Sequence, residues 1–140
     1  MNVVIDASVA LKWFFRLQDD EPHVDQALAL LRCVDQGTCR MIQPPHFLAE
    51  MAAVLARKKP TAAQQDITDL LDIEVHYIDE PAVYPSAIDL AVHLQHHLFD
   101  TLYHATALYY PDATLYTADQ RYYEKAHTIG NIAFISSFTR

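Results

Sequence analysis

Four acidic residues stand where apolar segments give way to polar ones: Asp6, Glu50, Asp100 and Asp119. Asp6 closes the run Val3-Val4-Ile5, which reads as a short buried strand. Asp119 follows another strand-like run, Leu115-Tyr116-Thr117-Ala118. Glu50 lies in the helix-like stretch Phe47 to Lys58, and Asp100 at the head of the helix-like stretch Leu102 to Tyr109. Brought together by a fold, these side chains make an oxygen-rich pocket of the kind that holds magnesium or manganese. Two carboxylates about 5 Å apart repel by roughly 3 kcal/mol at an effective dielectric of about 20. Such a pocket therefore takes up either protons or a divalent cation. A hard cation that lowers the pKa of water and stabilises charge on a leaving oxygen is suited to hydrolysing a phosphodiester.

Each acid also has a plainer reading. Asp6, Asp100 and Asp119 are all of the type that caps helices. Glu50 is harder to dismiss, because Glu is rarely buried without a partner. Ser8 and Thr117 each lie two residues from an acid and can either cap a helix or donate a hydrogen bond to a carboxylate. Lys12, Arg16 and Arg57 lie near the candidate acids and are candidates for phosphate contacts.

The elements that must position these groups alternate between strand and helix. Residues 2–5, 41–43, 75–78, 113–117 and 132–135 read as strands. Helical periodicity covers 8–15, 21–36, 47–58, 62–71, 85–95, 102–109 and 120–126, with Gly37 suited to end the second of these. Trp13 reads as core. Such alternation implies parallel βαβ units in one sheet covered on both faces, over one domain spanning 1–140. Ligands in such sheets bind beyond the carboxyl ends of the strands, where Asp6 and Asp119 both sit.

Composition narrows the function. With 51% apolar residues the chain is not disordered, and with two glycines it has no Gly-rich phosphate loop. No window of about eighteen apolar residues predicts a membrane span, and no basic leader precedes an apolar stretch. Cys33 and Cys39 read as reduced thiols of a cytoplasmic protein. A net charge of -8 speaks against nucleic-acid binding, but seven of the ten basic residues (Lys12, Arg16, Arg57, Lys58, Lys59, Arg121 and Lys125) follow a candidate acid. His93 and His97 have an i, i+4 spacing that can bind zinc, although the Glu of an HExxH motif is missing and a wet helix face is the plainer reading. The pairs Tyr109-Tyr110 and Tyr122-Tyr123 suit core edges better than base stacking.

The segments 3–14 (VVIDASVALKWF), 45–55 (PHFLAEMAAVL), 99–108 (FDTLYHATAL) and 115–121 (LYTADQR) together resemble PIN-domain toxins of the VapC type. The likeness runs through essentially the whole chain. It implies a three-layer α/β/α fold around a parallel sheet, and a magnesium- or manganese-dependent endoribonuclease. It also implies a homodimer held inactive by an antitoxin. The family's acidic site maps onto Asp6, Glu50, Asp100 and Asp119, with Asp6, Asp100 and Asp119 as metal ligands. Phe99 stands where the family often has Tyr, and His104, one turn beyond Asp100, is a departure that can bring an imidazole towards the site. Two rivals use the same residues: a non-catalytic interaction module of the same fold, and a metal-dependent phosphatase or DNA nuclease.

Overall fold

A computed structural model describes residues 1–139. Its five strands, β1 (Asn2–Ile5), β2 (Arg40–Gln43), β3 (Val75–Tyr77), β4 (Ala113–Thr117) and β5 (Ile132–Phe134), form one sheet in the order β3-β2-β1-β4-β5. Every pairing is parallel. Val3, Val4 and Ile5 have no exposed surface, which is why β1 is apolar on both faces and lies at the centre. The β1–β4 junction is the point where the chain's strand order reverses, the place at which open parallel sheets form a ligand crevice beyond their carboxyl ends.

Seven α-helices flank the sheet: α1 (Ala7–Phe14), α2 (Val24–Asp35), α3 (Phe47–Lys58), α4 (Ala63–Leu71), α5 (Val83–Leu94), α6 (Leu98–Tyr109) and α7 (Gln120–Ala126). The architecture is the expected three-layer α/β/α sandwich. The main core joins β1, β2 and β4 to α1 and α2 through residues such as Trp13, Leu30, Ile42 and Leu115. A second apolar cluster, Val83, Ala87, Leu90, Leu102 and Ala105, fastens α5 to α6. Trp13 is core, as expected, and its indole N–H donates to Ala27 O at 2.9 Å. No helix among the described residues is long and apolar enough to cross a membrane.

Several boundaries differ from the periodicity. α2 begins at Val24 because His23 adopts a left-handed conformation (φ 57°), which cannot continue a helix from Glu21. α5 takes Pro85 into its first turn, where a missing N–H costs no bond. α6 begins at Leu98, four residues earlier than expected, so Asp100 lies inside its first turn. A carboxylate is favourable there, near the positive end of the helix dipole.

The two cysteines correct the expectation of free thiols. Cys33 and Cys39 form a disulfide with Cα atoms 5.2 Å apart. The end of α2 folds back on itself, with the Thr38 and Cys39 amides both donating to Cys33 O and Gly37 at φ 78°. That turn brings the two side chains face to face.

Candidate active site

On the β2 side, where the ladder stops at Val3, the end of β1 is held by a side chain. Gln43, fully buried, accepts from the Ile5 amide at 2.7 Å and donates to Ile5 O at 2.8 Å. On the other side the Asp6 amide donates to Tyr116 O at 3.0 Å. Asp6 is thus fixed from both neighbouring strands at the mouth of the crevice. It also caps α1, accepting from the Ser8 amide at 3.1 Å and from the Ser8 hydroxyl. Ser8 Oγ in turn accepts from the Ala118 amide at 2.9 Å, tying the turn after β1 to the turn after β4. Thr117 Oγ1 accepts from the Asp119 amide at 3.0 Å, and Asp119 caps α7 through the Tyr122 amide at 3.1 Å. For Asp6 and Asp119, capping and a place at the crevice are therefore the same geometry.

The other two acids approach from helices. Glu50, on α3, accepts from the Tyr103 hydroxyl at 3.1 Å. Asp100 accepts from His96 Nε2 at 2.9 Å. Ligand atoms of His96, Asp100 and Asp119 all lie within 4.8 Å of one another, a spacing that one ion can bridge. Asp6 and Glu50 complete the acidic neighbourhood electrostatically. The carboxyl of Asp6 is raised to about 7, chiefly by burial; Ser8 offsets part of this, and the charges of Asp100 and Glu50 add to it. Glu50 is also raised, first by burial and further by Asp100, against the Tyr103 hydrogen bond. Burial, then Asp6, Asp100 and Asp119, push the Tyr122 phenol up, so its hydroxyl stays protonated beside three of the acids. The four acids, dispersed in sequence, converge on one crevice.

The basic candidates fare differently. Lys12 is buried, with Nζ bonded to Glu21 at 2.7 Å and Pro22 O at 2.8 Å. Arg16 is exposed and donates to Trp13 O; Arg57 is exposed on α3. His104 turns away from solvent: Nε2 donates to Gly130 O at 2.7 Å and Nδ1 accepts from the Tyr122 hydroxyl at 2.8 Å. It braces Tyr122 from behind. His93 and His97 are exposed and belong to no metal-competent cluster among the described residues.

Gln43 and Tyr103 escaped sequence reasoning, Tyr122 read only as a core-edge tyrosine, and His96 read only as one of a histidine cluster (His93, His96 and His97) on a wet helix face. Tyr103 and Tyr122 each lie three residues after an acid, and His96 four before one, so turn spacing was the available signal. Nothing in the sequence marks Gln43, because it acts across the sheet.

A family model for the PIN domain matches residues 3–128. The chain belongs to the PIN-domain family. Among solved structures it is similar to a chain of the crystal structure of VapBC2 from Rickettsia felis bound to a DNA fragment from their promoter. The TM-score is 0.62 with 17% identity, over 96% of this chain and 97% of that one. No curated protein matches the sequence.

Proposed function

We propose that this protein is a magnesium- or manganese-dependent endoribonuclease, the toxin of a type II toxin–antitoxin pair. One observation carries the reading: acids from β1, α3, α6 and α7 share a crevice whose Asp6 carboxyl is raised to about 7 without any cation of the chain bonded to it. The carboxylates of this set fit a hard divalent ion, and the group at ligand distance, Asp100 and Asp119, has His96 as its third member. Asp6, Asp100 and Asp119 would hold the ion, which supplies charge stabilisation at phosphorus and a more acidic water. Glu50, held by Tyr103, orients the attacking water and takes its proton. Ser8 ties the turn after β1 to the turn after β4, Thr117 fixes the Asp119 turn, and Tyr122, whose hydroxyl donates to His104, stays neutral and does not compete for the ion.

Family membership supports nuclease chemistry, and the likeness to a VapBC2 chain supports an antitoxin partner. An apolar groove of about 700 Å³ between α1, α2 and α4, with Phe14, Leu17, Leu28 and Leu31 on its walls, has the character of a surface for such a protein. The reading includes a homodimer acting in the cytoplasm. Reduction of the Cys33–Cys39 bond there leaves the acids in place, since they sit on other elements.

The test is cleavage of RNA, DNA and a phosphomonoester by the pure protein, with and without Mg2+ or Mn2+. RNA alone is expected to be cut, and only with metal. Asp6→Asn is expected to abolish cleavage, a loss on the order of a thousandfold, with an unchanged circular dichroism spectrum. Full RNase activity in that variant would overturn the assignment.

A further inference from the structure

A chain with net charge -8 that handles RNA needs a local site for phosphate. Among the basic residues that follow a candidate acid, Lys12 is bonded to Glu21 and Lys59 to Asp66, so both charges are already met. Arg16, Arg57 and Lys58 are exposed without an ion pair among the described residues, but line no pocket with His96, the partner of Asp100. Arg121 and Lys125 are different. They stand one turn apart on α7, the helix that Asp119 caps, and neither has a carboxylate within ion-pair distance among the described residues. Both line a pocket of about 340 Å³ between α7 and the end of α5, together with Ala91, Gln95, His96 and His97. Lys125 Nζ is held at its wall by Gln95 O at 3.1 Å and His96 Nδ1 at 3.2 Å. Arg121 makes no hydrogen bond among the described residues and is exposed.

His96 joins this pocket to the acids. Its Nδ1 faces the Lys125 ammonium, which can only donate, so the ring proton belongs on Nε2, where it reaches Asp100. One wall of the basic pocket is therefore the back of the acidic crevice. A phosphodiester held by Arg121 and Lys125 would sit on the far side of His96 from Asp100, next to a phosphate presented to the acids.

We propose that the pocket walled by Arg121, Lys125, His96 and His97 is a phosphodiester-binding subsite that seats the RNA phosphate next to the one being cut. The inference rests on the ribonuclease reading above and names how that same site takes its substrate. Arg121 is the cleaner probe, because its removal breaks no internal bond, whereas Lys125 also holds His96.

The experiment has a binding arm and a kinetic arm. Binding of a labelled random-sequence single-stranded RNA is measured by anisotropy at several salt concentrations, in the full chain carrying Asp6→Asn to prevent cleavage. Adding Arg121→Gln is expected to weaken binding about tenfold at low salt and to flatten the log K against log salt slope by about 0.7, the increment for one single-strand phosphate contact. Inorganic phosphate is expected to compete with RNA in the parent and less so in the variant. In the otherwise native chain, Arg121→Gln is expected to raise KM with kcat held within about twofold and Mn2+ affinity unchanged. Lys125→Arg should keep the parent's binding. Unchanged affinity and slope in Arg121→Gln would overturn the subsite even if RNA is cut normally. A protein that binds RNA through Arg121 yet cuts none would retain the subsite and lose the nuclease reading.

Discussion

On the flank built from α1, α3 and α4, cations meet carboxylates of the same chain. Lys12 Nζ lies 2.7 Å from Glu21, and Lys59 Nζ lies 2.8 Å from Asp66. At the β1–β4 crevice, Asp6, Glu50 and Asp100 act on one another instead. The donors bonded to them there are Ser8, Tyr103 and His96, the last with its tautomer set by Lys125. Both regions carry partly or fully buried charge. The flank resolves it internally and is finished once folded. The crevice leaves part of its counter-charge to come from outside the chain, which is the physical meaning of a binding site.

The largest expected effect that can break this contrast is on the stability of metal-free protein. The folded-state pKa of Asp6 is raised from 3.8 to about 7. Between those values the folded chain holds a proton that the unfolded chain has released, so stability falls as pH rises through that window. Fully expressed, the loss is about 4 kcal/mol at pH 8. Asp6→Asn removes it, so urea denaturation at pH 8 without metal should find the variant more stable than the parent, with the gain gone at pH 3. Mg2+ or Mn2+ should raise the parent's melting temperature more at pH 8 than at pH 5. A variant less stable than the parent at pH 8 would show that Asp6 matters as a cap and not as a strained charge.

On the flank the sign reverses. Glu21→Ala leaves the Lys12 ammonium, whose side chain is 6% exposed, with only the Pro22 carbonyl. A loss of about 3 kcal/mol is expected, with Mn2+ affinity unchanged in calorimetry. If Glu21→Ala and Asp6→Asn shifted metal-free stability in the same direction, the two regions would not differ as described.

A smaller effect sharpens the crevice itself. His96 holds Asp100 through Nε2–H, so His96→Leu should weaken Mn2+ binding about ten- to a hundredfold. Gln at the same position can place an amide N–H near that point and should recover part of the loss. Equal affinities for His96→Leu and the parent, by titration calorimetry, would remove His96 from the site.

How much of this was legible follows from the range of each interaction. The strand ends at Asp6 and Asp119 were readable because Val3-Val4-Ile5 and the 113–117 run are local patterns bounded by polar sequence. The Phe47–Lys58 helix that carries Glu50 was readable from its own period. The start of α6 was not. His97 takes an extended conformation as N-cap without a side-chain cap bond, so no capping residue announces the helix. The basic pocket was equally hidden: α5 and α7 are far apart in sequence, and only the sheet order brings Gln95 and His96 beside Lys125. The Lys12–Glu21 pair was hidden for the same reason, since closeness of Lys12 to Asp6 in sequence said nothing of Glu21 meeting its charge.

The smallest expected effect separates Glu50 from the metal-holding acids. Tyr103 is buried and gives the Glu50 carboxylate its only side-chain hydrogen bond among the described residues, at 3.1 Å. That bond lowers a pKa that burial raises, so it favours the ionised form of Glu50 that takes a proton from water. Tyr103→Phe keeps the ring against Phe47 and His46 and removes only the donor. The loss of about 1 kcal/mol corresponds to roughly a fivefold fall in kcat. With the donor gone, the Glu50 pKa rises, so the acid limb of the pH–rate profile should move to higher pH. Because Tyr103 bonds to Glu50 and to none of the other acids, Mn2+ affinity should stay the same. A Tyr103→Phe protein that loses metal binding along with rate would place Glu50 among the ion's ligands, and the division of labour at the crevice would have to be redrawn.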